Sequence, residues 1–272
     1  MDNPASVFSD EPASPHTGIK APISWFRFIM QFMSVAGAYL VASILPAIPA
    51  IIDMVMTAAQ NPDAPAAQPD LGSALVASTV IASAVAGMAV AWLWLRKEGR
   101  LPEAIRLEAP TNLRSTVGWA ALGTGGTIGI FTLGAWATEA AGLGAPDPSF
   151  VLDLVTESPA MFALWVVGVA IFAAGFGEEV LYRGFLMDRL ERLPGLRGRG
   201  SVVLVIQALL FGLPHAYQGL GGMAVTACVG LLFGYIRNRC GGNLWAVIIA
   251  HAAVDTIMMS LAYADALGAV SG

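Results

Sequence analysis

Two long runs without a single charge constrain this chain more than anything else in it. Phe28 to Ile52 is one, and Leu71 to Leu95 is the other. A helix of about 20 apolar residues crosses the ~30 Å hydrocarbon core of a bilayer. Charged residues make up 12% of the chain and its mean hydropathy is +0.68. A soluble domain averages about 25% charged residues. The expected fold is therefore all-α: a polytopic transmembrane helix bundle.

Hydropathy marks about seven spans: Phe28–Met56, Gly72–Leu95, Thr116–Ala140, Ala160–Tyr182, Val202–Gly219, Met223–Ile236 and Leu244–Ala262. An eighth, half-buried segment would change the side on which the C-terminus lies. The 14 Lys and Arg gather in four places. Lys20 and Arg27 precede the first span. Arg96, Lys97, Arg100, Arg106 and Arg114 follow the second. Arg183, Arg189, Arg192, Arg197 and Arg199 follow the fourth, and Arg237 and Arg239 follow the sixth. The opposite loops carry Asp63, Asp70, Asp147, Asp153 and Glu157. By the positive-inside rule the N-terminus is cytoplasmic.

Residues 1–21 are rich in Pro, Ser and acidic residues and lack the basic start of a signal peptide. They read as a disordered cytoplasmic tail, with His16 solvated, ahead of a transmembrane domain over 22–272. Cys228 and Cys240 do not suggest a disulfide framework. Gly- and Ala-rich stretches such as Gly123 to Gly126 and Ala170 to Gly177 allow close helix packing. Asp53, Glu139 and Asp265 fall near the outer ends of spans and read as interfacial. With 12 Arg against 2 Lys and abundant Ala and Gly, the composition reads as bacterial, which places the protein in a multi-pass cell (inner) membrane. The expected partners are the lipid bilayer and a peptide or protein substrate within or at the membrane, with no nucleic acid.

Ionisable residues inside apolar helices are costly and mark function by default. Three groups stand out. Glu178 and Glu179 end an apolar run, with Arg183 four residues after Glu179. An acid placed one turn before a base is the favourable order for a helical pair. Glu179 can thus neutralise Arg183, leaving Glu178 as a candidate general base. His215 sits in an apolar hairpin behind Phe211 and Pro214, and Pro214 kinks or ends its helix. His251 and Asp255 are one turn apart on one helical face. Taken singly, each group also has a structural reading: a helix end, a structural histidine, a hydrogen-bonded pair.

Together, Glu-Glu-x-x-x-Arg, Phe-x-x-x-His and His-x-x-x-Asp follow in order within 78 residues, from Glu178 to Asp255. This set resembles the CPBP family, the CAAX proteases and bacteriocin-processing proteins also called Abi, to which the type II CAAX prenyl endopeptidases belong. The resemblance covers about residues 160–262, and the first three spans show nothing specific. It implies an intramembrane endopeptidase in which Glu178 activates water, His215 holds that water, and His251 with Asp255 stabilises the oxyanion. Glu179, Arg183 and Phe211 would be structural support. Many relatives carry Asn where this chain has Asp255. An ionised Asp cannot donate to an oxyanion, so Asp255 could instead orient His251, stay protonated or bind a metal.

Glu178, His215, His251 and Asp255 offer the O and N donors that zinc accepts, and relatives are often called metalloproteases. The chain has no His-Glu-x-x-His, and the resemblance equally supports a metal-free glutamate mechanism needing no cofactor. Gly-x-Ser-x-Gly and Gly-x-Gly-Asp are also absent. Two other functions fit buried acids: a non-catalytic bacteriocin-immunity or scaffold protein, and a proton-coupled transporter.

Depth is a constraint on any of these. The hairpin between Arg199 and Arg237 has about 17 residues per arm, or about 25 Å. On the simplest layout His215 lies too far outward to meet Glu178. The groups can meet if the fourth helix runs past Arg183 toward Leu193, and if the short hairpin is recessed beside a water-filled cavity.

Overall fold

A computed structural model describes residues 21–60 and 72–268, and among these the chain is helical with no strand. The anticipated tail, apart from Ala21, and Asp63 and Asp70 lie outside the described residues. The helices are α1 Trp25–Ile44, α2 Ile48–Gln60, α3 Ser73–Lys97, α4 Leu101–Ala104 and α5 Leu113–Ala140. They continue with α6 Ser149–Thr156, α7 Pro159–Leu190, α8 Gly200–Gly212, α9 Gly219–Arg239 and α10 Trp245–Ala266.

Among the described residues six helical stretches are long and apolar enough to cross a membrane, so this is a multi-pass membrane protein. The expected count was about seven. The difference lies in one stretch, Gly200–Arg239, which is helical throughout but folds back on itself. Its arms, α8 and α9, pack antiparallel: a Cβ on Gly212 would meet the Met223 carbonyl, and one on Gly230 would meet Ala208. A 3-10 turn over Leu213–Gln218 joins them, with Pro214 near its start. Gly219 closes the turn at φ +81°, in the left-handed region that glycine occupies without strain.

The helix starts are locally encoded. Ser24 caps α1 through the Arg27 N–H, Asn112 caps α5 through the Ser115 N–H, and Ser158 caps α7 through the Met161 N–H ahead of Pro159. α7 lies at the centre, packed against α3 on one side and α10 on the other. α5 packs on α10 and α9, and α1 packs on α3. Small residues set these distances. A Cβ on Gly123 of α5 would lie 2.7 Å from Ala250, and one on Gly175 of α7 would lie 2.7 Å from Ala252, both on α10 beside His251.

α7 departs from the hydropathy span Ala160–Tyr182 in two ways, the second of them the run past Arg183 considered above. Its stretch Trp165–Leu186 is π-helical, a winding associated with functional sites. It also runs on to Leu190, so Arg183 and Arg189 lie within the helix rather than in the loop after it. Both are 0% exposed. The helix can continue because acids meet these charges. Glu98, just beyond α3, accepts hydrogen bonds from Arg189, from Arg192 at 2.9 Å and from Gln31 of α1, with Arg27 at 3.0 Å. Buried Asp188 takes Arg100 at 2.8 Å. This network ties α1, α3 and the end of α7 together at the basic side. Asp53, Glu139 and Asp265 are exposed, and both cysteines are free.

Burial alone would push the Glu98 carboxyl up, but hydrogen bonds from Arg192, Arg189 and Gln31 more than offset it and hold the pKa at about 2. A carboxyl depressed from 4.5 contributes stability that is complete above 4.5 and is lost as pH falls toward 2. The thermal midpoint in detergent is therefore expected to drop between pH 5 and pH 2.5. Glu98→Gln should lower the midpoint at pH 7 and flatten that acid limb. An acid limb unchanged in Glu98→Gln would rule the network out as its source.

Candidate active site

Arg183 organises the interior. Its guanidinium lies 4.1 Å above the Phe211 ring and 5.4 Å from the Phe233 ring. Its Nη1 donates to Glu179 Oε1 at 2.8 Å and its Nη2 to the Gly230 carbonyl at 3.5 Å. Gln207 Nε2 donates to the same carbonyl at 2.7 Å. Cation–π contact of this kind gains strength on leaving water. Phe211 is the shared surface: Tyr182, His215 and His251 also rest against its ring, at centroid distances of 5.1, 5.4 and 6.1 Å.

Glu179 does more than neutralise Arg183. The same Oε1 accepts from His251 Nδ1 at 2.8 Å. That bond places the proton on Nδ1 and turns Nε2 toward Asp255, whose Oδ2 stands 3.6 Å away. At that distance Asp255 is a charge neighbour and not a hydrogen-bond partner that holds the ring. In His215, Nδ1 donates to the Phe211 carbonyl at 3.0 Å, four residues back. Its Nε2 is the nitrogen left to accept. The backbone at His215, φ −84° and ψ 16°, is in the sparsely populated bridge region common at functional sites.

Glu178 is outside these pairs. Its Oε2 is buried and has no protein hydrogen-bond partner. Glu178, His215, His251 and Asp255 all line one cavity of about 540 Å³. The groups that the simplest layout kept apart share one space, with α7 running on past Arg183. Thr127 Oγ1, Thr226 Oγ1 and Gln218 Oε1 are likewise buried without protein partners, and these three residues line the same cavity. Buried polar atoms without protein partners that border a roomy cavity are the ordinary setting for ordered water.

Tyr39, Thr127, Tyr217, Gln218 and Thr226 line this cavity without having been singled out in the sequence. Tyr39 and Thr127 come from α1 and α5, where no motif pointed to them. A tyrosine within a membrane helix was a usable signal. A threonine is not, because its hydroxyl ordinarily bonds back to its own helix. The donors considered for zinc do not assemble: among the described residues no group of three or more His, Cys, Asp or Glu is placed to hold a metal ion.

The helices of a multi-pass membrane protein thus bring a carboxylate without a protein partner, two histidines and a further acid to one cavity. Residues 159–257 match the family model described as type II CAAX prenyl endopeptidase Rce1-like. This segment, which holds every motif residue from Glu178 to Asp255, is similar to the Rce1-like CAAX protease domain, and the match spans 99 of the 272 residues. Neither the curated proteins nor the solved structures contain a match to the chain.

The adjacent glutamates should separate in a stability measurement. Glu179→Ala strips the buried Arg183 of its counter-ion and is expected to cost about 3–5 kcal/mol. Glu178→Ala removes an unpaired carboxylate and should cost under about 1 kcal/mol. Unfolding in mixed micelles checks both. Equal losses would refute the division of roles.

Proposed function

We propose that this protein is an intramembrane endopeptidase that hydrolyses peptide bonds with water activated by Glu178. The observation that carries this reading is the unpaired Oε2 of Glu178 in a cavity shared with His215 and His251. Removal of a proton from water by a positioned carboxylate contributes roughly 10²–10⁴-fold. In the proposed step Glu178 takes a proton from water, and the resulting hydroxide adds to the scissile carbonyl carbon. The tetrahedral intermediate then collapses, its C–N bond breaks, and Glu178 returns the proton to the leaving amine. One water is consumed, and one carboxylate and one amine are formed.

The other groups take roles that their geometry supports. His215 accepts from the attacking water through Nε2, because Nδ1 is committed to the Phe211 carbonyl. His251 has Nδ1 committed to Glu179, so Nε2–H is the donor available to an oxyanion when the ring carries both protons. Asp255 beside it supports that protonated ring electrostatically, as the Asn of many relatives cannot. Glu179 and Arg183 are positioning residues: they hold His251 and Phe211 and touch no reacting atom. No step passes through a metal.

The substrate is a peptide or protein within or at the membrane, and prenyl specificity is not carried over from the family's title. The orientation we propose has the N-terminus and the arginines on the cytoplasmic side of a bacterial inner membrane.

Comparing peptide termini in membranes holding the active protein or Glu178→Gln tests the mechanism. Cleavage should fall about 10²–10⁴-fold at equal expression. Unchanged cleavage would end the glutamate mechanism. Asp255→Asn should keep cleavage within about tenfold, since an amide can donate to the oxyanion directly. It should also narrow the pH range of activity by removing the charge beside His251. Complete loss in Asp255→Asn, with the protein folded, would show that the carboxylate itself is required.

A further inference from the structure

The cavity is asymmetric across the membrane. On α1, α3, α7 and α8 its lining lies mainly toward the end away from the basic residues, whereas on α9 it runs from Thr226 to Phe233, reaching the half nearer Arg237. On α7 the lining begins at Trp165, near the acidic-side start, and stops at Glu178, before Arg183. On α10 it begins at His251 and continues to Met258 and Met259, away from the Arg237–Arg239 end that precedes the helix. α3 contributes Val76 and Val80, close to Ser73 and far from Lys97.

The basic side is closed. Glu179, Arg183 and Phe233 there are 0% exposed, and the Arg183 guanidinium lies over the Phe211 and Phe233 rings. Toward the opposite side the lining reaches the surface: Phe150 is 56% exposed, Tyr217 52% and Met258 46%.

α6 lies over that end, with Val151 and Leu152 on the cavity. It is fastened at both edges. The Ser73 hydroxyl donates to the Leu154 carbonyl at 2.7 Å and accepts from Trp165 Nε1 at 2.8 Å. The Asp147 N–H donates to the Gln218 carbonyl at 3.2 Å, strapping the α5–α6 loop to the α8–α9 turn.

We infer that the peptide reaches Glu178 from the membrane face opposite the arginines, passing under α6, and presents an apolar stretch to the wall formed by α3, α6 and α10. The apolar stretch follows from what that wall offers: Val76, Val80, Val151, Leu152 and Met258 carry no hydrogen-bonding side chain. The approach side rests on the cavity alone, whereas the identity of what enters rests on the endopeptidase reading.

The test is side-specific labelling in a Cys228→Ser, Cys240→Ser background, in intact cells and in inverted vesicles, with a membrane-impermeant thiol reagent. Thr226→Cys and Val76→Cys report the cavity. Glu157→Cys and Arg197→Cys, both at exposed positions, mark the two faces. Both cavity cysteines should react in the preparation that labels Glu157→Cys and be spared in the one that labels Arg197→Cys. Reaction in company with Arg197→Cys would overturn the inference. So would no reaction in either preparation when the same cysteines react after denaturation. Adding Glu178→Gln to Thr226→Cys should leave the labelling unchanged, so failure of the peptidase reading and failure of the access route give different results.

Discussion

A guanidinium inside a membrane bundle has to be met by an anion, because arginine does not give up its proton. Arg183 is met by Glu179 one turn away, by two aromatic faces and by a backbone carbonyl of α9. Much of the interior follows from that requirement. Glu179 Oε1 also receives His251, which fixes α10 against α7. Phe211 under the guanidinium fixes α8, and with it the turn that carries His215. One ion pair therefore registers three elements at a common depth. Glu178, the residue before Glu179, takes no part in this pair, and its Oε2 has no protein partner.

A second electrostatic node holds the other end of α7. Glu98 and Asp188 between them take up Arg27, Arg100, Arg189 and Arg192. The motif-bearing segment is thereby anchored to α1 and α3, which lie outside the family match at 159–257. Those helices also contribute to the cavity wall directly, through Tyr39, Val76 and Val80. The N-terminal helices are thus part of the site's construction even though their sequence carries no motif.

This division explains what could be read from the residues alone. Apolar runs of spanning length located α3, α5 and α10 to within a few residues, because lipid leaves few alternatives, whereas the first run, read as one span to Met56, is divided into α1 ending at Ile44 and α2. The end of α7 was misplaced because Arg183 and Arg189 look like a stop at the interface. Their counter-charges include Glu98, 91 residues before Arg189, and no local pattern reveals such a pairing. The α8–α9 segment was legible as two arms, with Pro214 marking the turn, but not as one continuous helical run. Glu178, His215, His251 and Asp255 were legible from spacing and resemblance, and they share one cavity. The double duty of Glu179 was not legible. Its i, i+4 partner explained it fully in sequence, and a second bond to a histidine 72 residues away became visible only in three dimensions.

The proposed hydrolysis inside a bilayer imposes two demands that conflict. Water must reach the carboxylate, yet a continuous aqueous path would let ions across. The polar atoms that line the cavity without protein partners, Thr127, Thr226 and Gln218, keep one half of the path favourable to water. The Arg183 stack closes the other half with a fixed charge and close-packed rings that leave no exposed surface. A purely apolar plug could also exclude water, but it would not hold His251 by its Nδ1. A plug built around an ion pair does both, and this gives a physical reason for placing a costly charge pair one residue away from the carboxylate proposed to activate water.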